Sequence, residues 1–114
     1  MTPEKHRLEF KAKNGYPSAC NLTIYRSIGL VIATEIDEGQ SLTNACDLIA
    51  TLVVNQFGID PKRLMFIEHY PAEQRPTYGE SYDLVTFQWD GKEFSNPEWK
   101  PLTVTEFDEI IGTL

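Results

Sequence analysis

The chain has 114 residues, of which 41% are hydrophobic and 24% charged, with seventeen acidic against ten basic residues and a formal net charge of -7. That length suits one core and is too short for two ordinary domains of roughly 100 residues each, and the balanced composition excludes a disordered or collagen-like chain. The acidic surplus repels nucleic-acid phosphates and anionic lipid, and no apolar run approaches the roughly 18 residues that span a bilayer, so neither nucleic acid nor membrane is an expected partner.

Residues 1–6 are charged and poor in apolar side chains; they read as a flexible tail ahead of a single α+β domain over 7–114. From Arg7, the positions Leu8, Phe10 and Ala12 alternate with Glu9, Lys11 and Lys13, the two-residue period of a half-buried strand, and Asn14-Gly15 marks a turn. A second strand is expected over 21–26 and, after the interruption at Ser27-Ile28-Gly29, a third over 30–36, together an antiparallel meander.

Ser41 follows the polar break Asp37-Glu38-Gly39-Gln40 and reads as the N-cap of a helix. Leu42, Ala45, Cys46, Ile49, Leu52, Val53 and Phe57 fall on one stripe at helical period. The helix should end at Gly58, with Ile59 folding back on its last turn and Pro61 unable to continue it. Residues 64–70 read as a strand covered on both faces, 71–81 as the longest loop, and 82–89 as a strand returning through the Asp90-Gly91 hairpin. Prolines bracket 95–101, which should run extended over the surface. Thr103 and Glu106 form a capping box for a last helix with Val104, Phe107, Ile110 and Ile111 on its buried face and Gly112 closing it.

The element order is therefore βββ-α-ββ(β)-α. Two helices are too few to cover both faces of a doubly wound sheet, so the expected fold is a two-layer α/β sandwich: a mostly antiparallel sheet of five to six strands with both helices on one face.

Chemical signatures are sparse. There is no Cys-x-x-Cys, His-x-His or His-Glu-x-x-His spacing and no glycine-rich phosphate loop, so no metal site and no cofactor is expected. Cys46 belongs to the apolar helical stripe; Cys20 follows a turn, and with no apolar leader ahead of them both are expected as thiols in a cytoplasmic protein. The densest proton-handling cluster is Glu68-His69-Tyr70, at a strand end beside the longest loop, where a scaffold commonly presents binding groups. Strand alternation turns Glu68 and His69 to opposite faces, which stands against their acting together.

Arg75 and Tyr78 on the loop, with Tyr82 and Trp99 nearby, are the residue types that anchor protein interfaces. The missing catalytic motifs favour a small binding or accessory protein that recognises another protein through residues 71–81 and these aromatics, acting as a monomer or homodimer. The alternative is a small-ligand binder or enzyme using Glu68, His69 or Tyr70. A second alternative, an acidic mimic of nucleic acid, requires Glu35, Asp37, Glu38, Glu106, Asp108 and Glu109 to form one continuous face.

Overall fold

A computed structural model describes residues 2–36, 41–73, 77 and 79–114. Six strands and two helices follow one another as β1 (Glu4–Lys11), β2 (Pro17–Tyr25), β3 (Leu30–Glu35), α1 (Leu42–Phe57), β4 (Met65–Tyr70), β5 (Ser81–Trp89), β6 (Phe94–Leu102) and α2 (Val104–Gly112). The strands lie in one sheet in chain order, β1 to β6. Every neighbouring pair is antiparallel except β3 and β4, which run parallel because α1 carries the chain back between them. The fold is thus the expected mostly antiparallel α+β sandwich, with the order βββ-α-βββ-α.

The helices do not share a face. On β3, Val31 and Ala33 point into the cluster built around Cys46, Ile49 and Val53 of α1, whereas Leu30 and Ile32 point the other way, into a cluster with Phe107, Ile110 and Ile111 of α2. The unbroken apolar run Leu30-Val31-Ile32-Ala33 is the mark of a strand covered on both sides, and that cover needs one helix on each face.

The first strand starts earlier than its composition suggests. Glu4 pairs with Ile24 and His6 with Leu22 across the β1/β2 ladder. Arg26 clamps Glu4 through Nε at 2.9 Å, and the His6 ring packs on Phe57 at 4.5 Å. Partners distant in sequence therefore order residues 4–6, which are no tail.

Helix α1 ends as expected, with Gly58 in the left-handed region at φ 68 and Ile59 buried behind it. Ser41 precedes the helix, but its hydroxyl makes no capping bond. Leu52 and Phe57 are only partly buried, while Ala50 and Val54 join the buried stripe. Helix α2 has its capping box: Thr103 Oγ1 accepts from the Glu106 amide and Glu106 Oε1 from the Thr103 amide, both at 3.0 Å. Its packed stripe is Phe107, Ile110, Ile111 and Leu114, which leaves Val104 48% exposed rather than buried. Gly112 lies within the helix, and Thr113 caps it.

The proline-bracketed segment is strand β6, on the sheet edge where missing amide donors are tolerated. Thr86 faces Glu98 while Gln88 faces Ser95, so β6 holds one extra residue there, with Asn96 at φ 51. This bulge resets the alternation. As a result Phe94, opposite Trp89, and Trp99, opposite Val85, both face α1 although they are five positions apart in sequence.

Candidate functional site

The end of β4 carries chemistry on both faces. Glu68 and Tyr70 point toward α1 and His69 toward α2, as strand alternation requires. The three sequence neighbours therefore serve two separate clusters.

On the α1 side Glu68 is fully buried. Its Oε1 accepts from the indole N–H of Trp99 at 3.2 Å; its Oε2 accepts from the Tyr70 hydroxyl at 3.1 Å and from Thr43 Oγ1 at 3.3 Å. The Thr43 and Tyr70 hydroxyls are also 3.0 Å apart. Burial is the main force that raises the Glu68 carboxyl above its ordinary value, and Asp83, its cross-strand partner, pushes the same way. The three neutral donors oppose this shift. Burial likewise lifts the nearby Cys46 thiol to about 12, with Glu68 and Asp47 adding to it, so Cys46 is an inert packing group.

On the α2 side, His69 stacks on Tyr82 with ring centroids 4.6 Å apart and planes 5° apart, and Tyr82 stacks in turn on Phe107 at 3.9 Å. His69 Nδ1 lies 3.4 Å from Thr34 Oγ1. Its Nε2 is 3.4 Å from Glu80 Oε2, within ion-pair range but outside hydrogen-bond geometry. The Tyr82 hydroxyl donates to the other Glu80 oxygen at 2.6 Å. That bond holds the Glu80 carboxyl below its usual range, while burial and the Glu80 charge raise the Tyr82 phenol.

Beside this ladder a groove of about 610 Å3 runs between α2 and the face of β1 to β3 that α2 leaves uncovered. Phe107 and Ile111 form its wall. Lys5, Asn21, Thr23 and Thr34 supply polar groups from the floor, Tyr25 and Ile32 apolar ones, and His69 with Tyr82 closes one end. Lys5 Nζ donates to Thr23 Oγ1 at 3.1 Å. His6 and Leu22 border the groove as well, although their side chains pack on the α1 side.

Of the interface candidates, Arg75 and Tyr78 lie outside the described residues. Tyr82 is 6% exposed, and with its ring stacked on both His69 and Phe107 it offers little surface beyond the edge that borders the groove. Trp99 remains 41% exposed with its N–H committed to Glu68. The acidic-mimic reading rests partly on Asp37 and Glu38, which also lie outside the described residues. Among the described residues no group of three His, Cys, Asp or Glu side chains is placed to hold a metal, and no helix is long and apolar enough to cross a membrane.

Sequence reading missed Lys5, Thr23, Thr34 and Phe107 as site residues. The signal available was polar: Asn21, Thr23 and Thr34 alternate with buried apolar residues, which marks a solvated strip beside a covered one. No family model matches the chain, and no curated protein or solved structure matches it either.

Proposed function

We propose that this is a small-ligand-binding domain whose ligand lies in the groove between α2 and the β1–β3 face, with His69 at its inner end. The observation that carries the reading is the meeting of an apolar wall, Phe107 and Ile111, with a polar floor, Thr23 and Thr34, across a space of about 610 Å3. That volume is within the roughly 300–1,000 Å3 of ordinary ligand sites, where apolar surface supplies affinity and a few polar groups orient the ligand. Binding is favoured over catalysis by the local backbone: the amides of β2 and β3 under the groove pair within the sheet, so those strands supply no backbone oxyanion hole there. A cytoplasmic setting, in which the two cysteines stay thiols, belongs to the same reading.

The test is a fragment screen followed by amide chemical-shift mapping. Hits should perturb Thr23, Thr34 and Ile111 together, and Ile111→Trp, which fills the groove, should abolish them. Hits that map to Trp99 or to the α1 side instead would overturn the reading.

A second reading, recognition of a partner protein through residues 71–81 and nearby aromatics, is favoured by the exposure of Trp99. It expects a partner whose binding is lost in Arg75→Ala, Tyr78→Ala and Trp99→Phe variants but kept in Ile111→Trp.

A further inference from the structure

The chain has seventeen acidic residues, yet among the described residues no Asp or Glu lines the groove. Helix α2 carries Glu106, Asp108 and Glu109 and still offers the groove only Phe107 and Ile111. Across from that wall stands Lys5, an ammonium on an edge strand. In a protein of net charge -7 the cleft is thus lined by one ammonium and no carboxylate, and the carboxylates that act on it, Glu80 and Asp108, do so at the Tyr82 end, away from Lys5.

The hydrogen bonding sharpens this into a seat for an acceptor. Lys5 Nζ donates one hydrogen to Thr23 Oγ1, which occupies a lone pair of that hydroxyl and leaves its own proton to be donated. The two remaining ammonium hydrogens are donors only, and the amide group of Asn21, two residues away on the same strand face, adds further N–H groups. Glu80, the carboxylate nearest the inner end, is engaged by the Tyr82 hydroxyl and faces His69.

Resting on the groove reading above, we infer that the ligand is a small organic carboxylate with an apolar body. Its anionic group sits at Lys5 and Thr23, and its body lies along Phe107 and Ile111.

Three probes of one shape test the charge: phenylbutyrate, its neutral amide and the corresponding amine, titrated by amide chemical-shift mapping. The carboxylate should perturb Thr23 and Ile111 and bind about tenfold tighter than the amide, the scale of one charge-assisted hydrogen bond, with the amine weakest. Lys5 is exposed, so Lys5→Met should leave folding intact and bring the carboxylate down to the amide's affinity. Equal affinities of carboxylate and amide at the groove, or no loss in Lys5→Met, would overturn the anion inference while leaving the groove as a ligand site. No perturbation of the groove by any of the three would remove both.

Discussion

The indole N–H of Trp99 donates to Oε1 of Glu68 across 3.2 Å, tying a part-exposed side chain on an edge strand to a carboxylate with no solvent contact. Together with Thr43 on α1 and Tyr70 on β4, this bond joins three elements through one titratable group. Satisfied neutral donors hold the charge there, but burial still disfavours it.

Stability should therefore depend on pH through Glu68. Its folded pKa is raised above the ordinary value of 4.5, so its contribution is fully present below that pH and declines as pH rises through the folded pKa. Glu68→Gln does not titrate, and the Tyr70 and Thr43 hydroxyls can turn to accept from its amide. The variant should match the parent near pH 4.5 and exceed it by about 1 kcal/mol at pH 7.5, measured by urea unfolding. A variant weaker than the parent at pH 7.5 would mean that the ionised network is net stabilising. Trp99 emission should follow the same titration in the parent and lose it in the variant.

Three glycines separate backbone strain from crowding. Gly29 adopts φ 75, and a Cβ there would meet the Arg63 carbonyl oxygen at 2.6 Å. Gly29→Ala should cost about 3 kcal/mol, since a backbone group has to move. Gly91 has φ 100 in the β5/β6 turn, with nothing within 4 Å of its would-be Cβ, so Gly91→Ala should cost only about 1 kcal/mol of strain. Gly112 is helical with open space, and Gly112→Ala should gain about 0.5 kcal/mol. Thermal or urea melts that reverse the order of Gly29 and Gly91 would contradict the packing of the 3-10 turn Arg26–Ile28 against Arg63.

Helix α2 should be the first element to open. None of its residues is fully buried, and its main anchor is the stack of Phe107 on Tyr82. Phe107→Ala should cost about 2–3 kcal/mol and speed amide exchange in α2 while β2 to β4 stay protected. Equal acceleration across the sheet would show that α2 and the sheet unfold as one unit.

Cys46 lies at zero exposure with its thiol pushed up to about 12, and Cys20 is buried as well. Neither should react with a thiol reagent in the native protein at pH 8, and both should react once it is unfolded in denaturant. Rapid labelling of Cys46 without denaturant would contradict the packing of α1 on the sheet.

Much of the fold was legible because its signals are local. The stripe of α1 with Gly58 behind it, the Asp90-Gly91 turn and the Thr103/Glu106 capping box all lie within a few residues of what they control. The candidate site was legible only in part. His69 stood out by chemistry, but Tyr82 read as an interface residue because nothing near it in sequence reveals the two rings that cover it.

Periodicity, caps and turns in the chain by itself determined the order of strands and helices, the end of α1 and the start of α2, while the starts of β1 and β2 and the pairing of β6 came from partners distant in sequence. Only the tertiary structure decided which face of the sheet each helix takes, how the β6 bulge brings Trp99 over Glu68, and which strip of β1 to β3 stays bare beside α2. Those outcomes depend on pairing between residues far apart in sequence. An alternating strand states that it has two faces but carries no mark of what will cover either one.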